Sequence, residues 1–336
     1  MARTLQGAQI TGLGMYVPPR ILTNTDLEAM VETTDEWIVE RTGIRERRIA
    51  EPDQAASDLA LPAAEEALRT ANLSAADLDL IIVATCTGDM GTLPATASLL
   101  QDRLAARQAA AFDVAAVCSG FVYALDVAVQ YVQTGRYRNV LVVGTEVMSK
   151  FLNWEDRGTC ILFGDGAGAV VVQPCAEGEG ILGTILGTNG AGACLLNIPA
   201  GGSRKPLNPT LLEQKQNLLM MQGREVYRFA VEIMGEAAIQ ALDTVGLTAG
   251  DVDLFIPHQA NIRIITAAAK RLDLSMEKVF VNVDRYGNTS AASIPIALVE
   301  AWKTGKIVPG SIVVTVGFGA GLTWGANVIR WGGLQP

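Results

Sequence analysis

The sequence predicts an α/β fold made of two similar halves, and three observations support this prediction. Short apolar runs of strand length alternate with longer segments that have the periodicity of amphipathic helices. Hydrophobic residues make up 49% of the 336 positions and charged residues only 18%, which supplies a large core and excludes a disordered chain. Two helix–strand segments recur at nearly constant spacing. Since helices that alternate with strands cover both faces of a sheet, we expect largely parallel strands.

The individual elements follow from the apolar patterns in chain order. Five short apolar runs predict buried strands at residues 80–84, 140–143, 169–172, 254–256 and 312–316. Five longer segments predict helices at residues 57–71, 120–133, 224–245, 262–272 and 291–303. Residues 201–217 are rich in Gly, Ser, Pro and Asn, a composition typical of a loop.

An internal repeat predicts the domain organisation. The segment NLSAADLDLII at 72–82 resembles GLTAGDVDLFI at 246–256, 174 positions later, and QTGR at 133–136 resembles KTGK at 303–306, 170 positions later. Repeats in the same order indicate two related units, and we place them at residues 1–178 and 179–336. The alternative is a chance match, since any α/β chain offers many helix–strand pairs.

Charge and cysteine usage limit the function classes. The chain has 26 basic and 35 acidic residues, so its formal net charge is −9, which argues against nucleic-acid and anionic-membrane binding. No apolar run is long enough to span a bilayer, and no secretory signal is visible at the N-terminus. Five scattered cysteines without C-x-x-C spacing and a single histidine argue against a disulfide framework and a cysteine-rich zinc site. We therefore expect a cytoplasmic protein without a metal.

Cys118 is the candidate nucleophile. It follows the apolar run FDVAAV at 112–117 and directly precedes a predicted helix. The unpaired N–H groups at a helix start favour a thiolate, and the small residues Ser119 and Gly120 leave room for a substrate. The alternative is a buried cysteine that packs as a small hydrophobic residue. We assign that structural role to the other four cysteines, which are Cys86, Cys160, Cys175 and Cys194.

His258 and Asn288 are candidate partners of this cysteine. His258 follows the strand predicted at 254–256, and the carboxyl ends of strands in α/β folds commonly meet ligands. Asn288 precedes the helix predicted at 291–303, where its amide offers a hydrogen bond that does not titrate. A structural histidine and a helix-capping asparagine are the alternatives. Asn-Thr-Ser also matches a glycosylation site, which a cytoplasmic location excludes.

Two glycine-rich segments carry different expectations. FGDGAGA at 163–169 runs into a strand and not into a helix, so it is not a dinucleotide-binding motif. GFGAGLTWG at 317–325 follows the last predicted strand, where backbone N–H groups can approach a developing oxyanion.

In this order and context, the residues resemble the β-ketoacyl-acyl-carrier-protein synthase III family of the thiolase superfamily. The resemblance covers nearly the whole chain and is carried by seven segments, at 34–45, 115–124, 156–159, 163–168, 257–263, 287–292 and 317–325. It implies a duplicated thiolase-like fold with five layers, αβαβα, in a homodimer. It also implies a condensing enzyme that starts fatty-acid synthesis and uses acyl-CoA and malonyl-acyl-carrier protein as substrates, with no cofactor.

The resemblance also implies roles for individual residues. Cys118 would carry the acyl group, His258 and Asn288 would support malonyl decarboxylation, and the backbone N–H groups of Cys118 and Gly319 would form the oxyanion hole. Leu93 would line the primer pocket, where some acetyl-using relatives have an aromatic residue. CoA would contact Trp37, Arg41, Arg157 and Gly223. Carrier protein would contact Gln259, Ala260, Asn261, Ile262 and Arg263, with Lys270 and Arg271 on the same helix face.

Several other functions compete with this interpretation. A condensing enzyme of secondary metabolism has the same triad and remains open. Elongating synthases need two histidines and degradative thiolases a second cysteine in the C-terminal glycine loop, and this chain has neither. A papain-like hydrolase has its Cys, His and Asn in the same order, but the internal repeat argues against it. Retention of all three residues argues against a non-catalytic subunit.

Overall fold

The computed structural model describes residues 6–91 and 93–334, in which helices and strands alternate and confirm the α/β class. The strands are β1 Gly7–Tyr16, β2 Ile21–Thr23, β3 Glu46–Arg48, β4 Leu80–Ala84, β5 Ala110–Val114, β6 Val140–Val147, β7 Asp165–Cys175, β8 Gly180–Thr188, β9 Leu196–Asn197, β10 Met220–Met221, β11 Leu254–Pro257, β12 Ile312–Gly319 and β13 Thr323–Arg330. The α-helices are α1 Asn24–Glu28, α2 Asp35–Thr42, α3 Ala56–Thr70, α4 Thr96–Arg103, α5 Gly120–Gln133, α6 Arg157–Cys160, α7 Pro209–Glu213, α8 Gly223–Thr244, α9 Ile262–Arg271, α10 Val283–Tyr286 and α11 Ser293–Lys303.

The main sheet is mixed, so the expectation of largely parallel strands is wrong. Its nine strands lie in the order β11-β12-β13-β8-β1-β7-β6-β4-β5. The pairs β4–β5, β4–β6, β11–β12 and β1–β8 are parallel, whereas β1–β7, β6–β7, β8–β13 and β12–β13 are antiparallel. Because β7 is buried on both faces over most of its length, it has the continuous apolar pattern of a parallel strand, and direction cannot be read from it.

The strand order repeats between the first and second parts of the chain. The order β5-β4-β6-β7-β1 corresponds to Val279-β11-β12-β13-β8, since Val279 makes an isolated parallel bridge to Phe255 of β11. The two sets of strands meet at one parallel bridge, between Ala8 and Gly180. The boundary predicted between 178 and 179 falls in the turn from β7 to β8 and stays a prediction.

Helices lie in three layers around these strands, which gives the predicted five-layer αβαβα arrangement. Helix α3 packs on β1, β6 and β7, and α8 packs on β8, β12 and β13. Between the two sets of strands lie α5 and α11, which contact strands of both sets. Helix α11 is buried at every position from Ser293 to Val299, as expected for a helix that is enclosed on all sides.

Sequence patterns missed three long strands and, among the described residues, the six short helices α1, α2, α4, α6, α7 and α10. Strand β1 contains Gly12 and Gly14, which resemble strand breakers. A Cβ at these positions would lie 2.2 Å from Ala67 O and 2.1 Å from Ala63 O of α3, so glycine is required for close packing of the helix on the strand. Strands β8 and β13 were also missed, and α7 lies within the segment predicted as a loop. No helix among the described residues has the length and apolar character needed to cross a bilayer.

Candidate active site

Cys118 lies in a strained turn between β5 and α5. The turn Val117–Ser119 is a single 3₁₀ turn that leads directly into α5, as the sequence predicts. Val117 has a φ of 49°, in the left-handed region that a β-branched residue rarely adopts. Such strain persists only where the surrounding structure imposes it, and it is common at functional sites.

The resting thiol of Cys118 is protonated, so the expectation of a thiolate is wrong for the unliganded protein. Burial raises the pKa of Cys118 to about 12, and a hydrogen bond with Ser290 offsets only part of this effect. The side chain is 4% exposed, so the thiolate form has almost no contact with water. A helix start does not outweigh this loss of hydration.

His258 is neutral and has one defined tautomer. It directly follows β11, and its backbone N–H donates to Val316 O at 2.7 Å. Its Nδ1 lies 2.5 Å from Ser293 Oγ, which also accepts a hydrogen bond from Gln259 N. Because Nδ1 is the acceptor available to the Ser293 hydroxyl among the described residues, Ser293 donates to it and Nε2 carries the ring proton. Burial lowers the pKa of His258 to about 3.

The Nε2 atom of His258 is buried and makes no hydrogen bond within the described residues. Since such an orphaned donor is costly, it marks a place where a substrate oxygen supplies the missing acceptor.

Asn288 presents its amide group to the same cavity. Its backbone N–H donates to Leu162 O at 2.8 Å, and its carbonyl accepts from Gly164 N at 3.0 Å. Its side-chain Oδ1 accepts from Ser290 N at 2.8 Å. Because the oxygen is used inside the protein, the Nδ2 group is the part that can donate to a ligand.

The three predicted catalytic residues, Cys118, His258 and Asn288, line one cavity of about 120 Å³ together with Gly319 of the predicted oxyanion hole. Gly319 ends β12 and touches the nucleophile closely. A Cβ at Gly319 would lie 2.7 Å from Cys118 N, so glycine is the residue that permits this approach. The structure thus brings together groups that are up to 201 positions apart (118 to 319) in the sequence.

A second cavity of about 220 Å³ also reaches Cys118, and the sequence analysis did not predict most of its lining. Its walls include Met148, Phe151, Ile198 and Leu219. Met148 and Phe151 lie in one turn after β6, Ile198 directly follows β9 and Leu219 directly precedes β10, so no local periodicity marks the set. Cys86, assigned above to a purely structural role, lines this cavity too.

Trp37, Arg41 and Arg157, three of the residues predicted to contact CoA, lie close together. Arg41 in α2 and Arg157 in α6 each place their guanidinium carbon 4.7 Å from the centre of the Trp37 ring. Gly223 begins α8 and lines the cavity that contains Cys118. A Cβ at Gly223 would meet its nearest atom, Met221 Cε, at 3.6 Å, so local packing does not require glycine there.

The prediction of a carrier-protein contact at 259–263 is wrong for Gln259 and Ala260. Gln259 is 1% exposed and is fully used inside the protein, where it donates to Pro257 O and Phe280 O and accepts from Asn282 N. Ala260 is also buried. Asn261 caps α9, and Ile262 is half-buried. Of the five residues, Arg263 alone is exposed, and it pairs with Glu40 at 3.5 Å.

Leu93 does not line either cavity beside Cys118 in its own chain, and its assignment to the primer pocket stays a prediction. Its side chain is 84% exposed.

The chain matches two parts of one protein family. Residues 112–190 match the family described as "3-Oxoacyl-[acyl-carrier-protein (ACP)] synthase III". Residues 242–331 match the family described as its C-terminal part. The β-ketoacyl-[acyl-carrier-protein] synthase III of Caldanaerobacter subterraneus subsp. tengcongensis is 56% identical over 324 residues, which is 96% of this chain and 98% of the relative.

Solved structures show the same similarity in three dimensions. The 3-oxoacyl-[acyl-carrier-protein] synthase III of Aquifex aeolicus VF5 has a TM-score of 0.89 and 48% identity, and the alignment covers 97% of this chain and 100% of that one. The priming β-ketosynthase of the R1128 polyketide pathway has a TM-score of 0.91 and 35% identity, with 99% of each chain covered.

Proposed function

The chain belongs to the β-ketoacyl-[acyl-carrier-protein] synthase III family, and on that premise we propose that it condenses the acyl group of an acyl-CoA with malonyl-acyl-carrier protein. The product is a β-ketoacyl-carrier protein, which starts fatty-acid synthesis. One observation carries the assignment to this chain's own residues: Cys118, His258 and Asn288 line one cavity together.

The first step transfers the acyl group to Cys118. The sulfur attacks the thioester carbon of acyl-CoA, and CoA leaves as a thiol. The backbone N–H groups of Cys118 and Gly319 donate to the oxygen that becomes negative in this step. Support for this role comes from the close approach of Gly319 to Cys118 N.

The second step generates a carbanion from malonyl-carrier protein. Loss of CO₂ places negative charge on the malonyl thioester oxygen, and two neutral donors stabilise it: His258 Nε2–H and Asn288 Nδ2. A neutral imidazole suits this role, because a donor that keeps its proton throughout stabilises the enolate without a proton transfer. The carbanion then attacks the acyl group on Cys118, and the steps use no cofactor beyond the two substrates.

The second cavity beside Cys118 is the proposed site of the primer's acyl chain. Its lining is mostly apolar, and each buried methylene contributes about 0.8 kcal/mol. A primer with several carbons therefore gains binding energy in this cavity, in line with a short, branched or straight acyl group.

CoA is proposed to bind across α2, α6 and the start of α8. The adenine ring stacks on the indole of Trp37 in place of one of the two guanidinium groups that lie against the indole. Arg41 and Arg157 then bind the phosphates of CoA. Gly223 lines the cavity that contains Cys118, which is where the thioester end of CoA must reach.

Carrier protein is proposed to dock on the exposed face of α9, where Arg263, Lys270 and Arg271 are positioned to meet an acidic partner. Arg263 and Arg271 are paired with Glu40 and Glu236 in the free protein, so docking exchanges these exposed ion pairs for new ones.

A homodimer and a cytoplasmic location complete the proposal. The outer edge of β5 ends the main sheet, and an unpaired edge strand is a natural site for pairing with a second copy. All five cysteines are free thiols, which suits a reducing compartment.

Mass spectrometry of the protein after incubation with acetyl-, butyryl- and isobutyryl-CoA tests the function. We expect one acyl adduct, mapped to Cys118, which malonyl-carrier protein converts to a β-ketoacyl-carrier protein. Cys118→Ala should form no adduct. An adduct on Cys118→Ala, or an acyl-enzyme that malonyl-carrier protein never discharges, would contradict the proposal.

A priming enzyme of secondary metabolism is the second candidate, and the similarity to the polyketide priming synthase favours it. The two candidates share every chemical step and differ in primer and carrier protein. A preference in the same assay for the carrier protein of a polyketide pathway would select the second candidate. Turnover of peptide esters without CoA would instead indicate a hydrolase.

A further inference from the structure

The side-chain amide of Asn288 depends on Ser290 for its orientation. Its Oδ1 accepts the backbone N–H of Ser290 at 2.8 Å, and this bond leaves Nδ2 as the group that can donate into the cavity. The backbone of Asn288 is held separately, by hydrogen bonds with Leu162 and Gly164. Loss of the contact with Ser290 would therefore release the side chain while the backbone stays in place.

Ser290 makes this bond from an unfavourable backbone conformation. Its φ of 47° lies in the left-handed region, which residues other than glycine seldom adopt because the Cβ atom approaches the backbone too closely. The residue is 0% exposed, so water does not satisfy its polar groups. A buried residue keeps such a conformation only where its contacts impose it.

Glu146 provides the second contact that holds Ser290. Its Oε1 accepts a hydrogen bond from Ser290 Oγ at 3.0 Å. Glu146 lies near the carboxyl end of β6, is 0% exposed and belongs to no ion pair among the described residues. Because a buried carboxylate without a cation is costly, it must be satisfied by hydrogen bonds. The mechanism above uses neither residue.

Three consecutive residues after β4 fix the position of this carboxylate. Thr87 Oγ1 lies 2.5 Å and Thr85 Oγ1 3.3 Å from Glu146 Oε2, and the N–H and thiol of Cys86 donate at 3.1 and 3.3 Å. Both threonine oxygens also accept a backbone N–H, so each hydroxyl proton is directed to the carboxylate. The Cys86 sulfur in addition lies 3.9 Å from Ser290 Oγ. With four donors besides Ser290, Glu146 is a fixed anchor.

We propose that Glu146 is a positioning residue for the malonyl step, because it holds Ser290 in the left-handed conformation from which Ser290 orients the amide of Asn288. The inference rests on the proposed function and adds two positioning residues to it, neither of which touches the substrate. His258, the other donor of that step, is held by Ser293 instead. The arrangement therefore acts on Asn288 and not on His258.

The conformation of residue 290, and not its hydroxyl as such, is the property that matters for Asn288. Glycine adopts a positive φ readily, whereas alanine avoids it as serine does. Ser290→Gly and Ser290→Ala both lack the hydroxyl, so any direct effect of that group on Cys118 is the same in the two variants. The difference between them reports the backbone conformation alone.

Two single-turnover measurements on the intact protein separate the reaction steps. Acetyl-CoA acylates Cys118 in the first, and malonyl-carrier protein discharges the preformed acetyl-enzyme in the second. We expect Ser290→Ala to discharge at least about tenfold more slowly than Ser290→Gly, because a donor to the enolate is misdirected, while the two variants acylate at similar rates.

Equal discharge rates in the two Ser290 variants would overturn the inference. Acylation that is slowed in Ser290→Ala by the same factor as discharge would also overturn it. The turn Ser290–Ala292 packs against the turn that carries Cys118, so such a result would indicate a general disturbance of the site.

Glu146→Gln tests the anchor itself. The threonine hydroxyls have no other acceptor and take the one side-chain oxygen of glutamine, so Ser290 loses its acceptor. We expect slow discharge of the acetyl-enzyme, and we expect Ser290→Gly, added to this variant, to restore most of the rate, since glycine needs no anchor. Equally slow discharge in the single and the double variant would show that Glu146 acts by another route. If Glu146→Gln fails to fold, the two Ser290 variants still decide.

Thr145→Val is the matched control. Thr145 precedes Glu146 on β6, is fully buried and donates to Ala56 O at 2.9 Å, but its side chain makes no hydrogen bond with Glu146, Ser290 or Asn288 among the described residues. Both rates should be retained in this variant. Discharge slowed as much in Thr145→Val as in Ser290→Ala would contradict the proposed role.

Crystal structures of the two Ser290 variants test the positioning without any substrate. We expect residue 290 to leave the left-handed region in Ser290→Ala, with loss of the contact to Asn288 Oδ1, and to keep both in Ser290→Gly. An unchanged conformation and contact in Ser290→Ala would refute the inference. A wild-type protein that no acyl-CoA acylates would refute the proposed function, and the crystal structures would still decide how Asn288 is held.

Discussion

Two glycines in the active-site cavity differ in the space around them, and this difference gives a matched pair of predictions. Gly319→Ala places a Cβ 2.7 Å from Cys118 N, closer than real Cβ atoms come to backbone, so the nucleophile or β12 must move. Displacement of an oxyanion-hole donor costs about 100-fold or more, so we expect acylation of Cys118 to slow by at least that factor. Rapid-quench measurement of acyl-enzyme formation checks it.

Gly223→Ala serves as the comparison, because its Cβ meets no atom nearer than 3.6 Å. The fold should be unaffected, and the added methyl group should raise the KM for acyl-CoA with little change in kcat. If Gly319→Ala acylates at the wild-type rate, Gly319 has no part in the oxyanion hole.

The sole histidine predicts a specific dependence of stability on pH. Burial holds the folded-state pKa of His258 at about 3, well below the ordinary value of 6.5. Between these two pKa values, the imidazole of the unfolded chain binds a proton and that of the folded chain does not. The stability that the neutral His258 allows is therefore fully present above about pH 6.5 and is lost as pH falls. At pH 5.5 it amounts to about 1.4 kcal/mol of lost stability.

Urea unfolding of wild type and His258→Gln at about pH 7.5 and 5.5 isolates this effect. The wild type should lose more free energy of unfolding than the variant between the two pH values, since no other histidine titrates. Equal losses would show that His258 is protonated in the folded protein.

At the residue scale, the sequence identified the groups whose local context is unusual. Cys118 before a helix and His258 after a strand stand out, because their neighbours fix both the element and the position within it. Ser293 and Ser290 do not stand out, since their partners His258 and Glu146 lie 35 and 144 positions away. The error at Gln259 has the same origin: the side chain turns inward to backbone groups that only the folded chain brings near.

At the element scale, hydrogen bonds of Glu300 connect α11 to the short helix α10. Helix α10 ends two residues before Asn288. Its carboxylate accepts from Tyr286 at 2.7 Å, from Arg285 at 2.8 and 2.9 Å and from Asn282 at 2.8 Å. Burial raises its pKa, but the hydrogen bonds from Arg285 and its neighbours outweigh burial and lower the pKa overall. The stabilisation is therefore present above the ordinary pKa of a glutamate and is lost as pH falls through the lowered value.

We expect Glu300→Gln to lower the free energy of unfolding by about 1–2 kcal/mol near neutral pH, because Arg285 is partly exposed and solvent weakens the pair. The difference from wild type should shrink below about pH 4 in urea unfolding experiments. Glu232→Gln, on the exposed face of α8, makes no bond among the described residues and is the control. A gap that stays constant with pH would show that charge is not the cause.

Helices and strands were predictable from the sequence where a single hydrophobic periodicity runs through the whole segment. Helix α5 spans the predicted residues 120–133, since its apolar positions repeat at helical spacing over the whole length. Strand β1 was not predictable, because its glycines serve the packing of α3 and hide the strand pattern. The position of α5 thus follows from its own residues, whereas β1 depends on its packing against α3, which lies elsewhere in the sequence.

At the scale of the whole molecule, the repeat in the sequence predicted the duplication but not the strand directions. The repeated segments include β4 and β11, which begin the parallel part of each set of strands. The antiparallel strands β7 and β13 lie near the centre of the molecule, where both of their faces are covered. Their residues are therefore apolar on both faces, and this pattern does not distinguish an antiparallel strand from a parallel one.

The free edge of β5 gives the last prediction, which concerns assembly. Ala110 N donates to Asp79 O, so residues 110, 112 and 114 direct their backbone groups towards β4, and residues 111 and 113 direct theirs outward. Ala111→Pro removes one outward N–H without the loss of a bond to β4. If two copies pair along this edge, we expect the variant to be largely monomeric by light scattering at concentrations where the wild type is dimeric. Gln108→Pro, an exposed position before the strand whose N–H has no partner among the described residues, should remain dimeric. A folded Ala111→Pro variant with the wild-type dimer dissociation constant would place the interface elsewhere, because pairing of two edges cannot tolerate the loss of a donor at its centre.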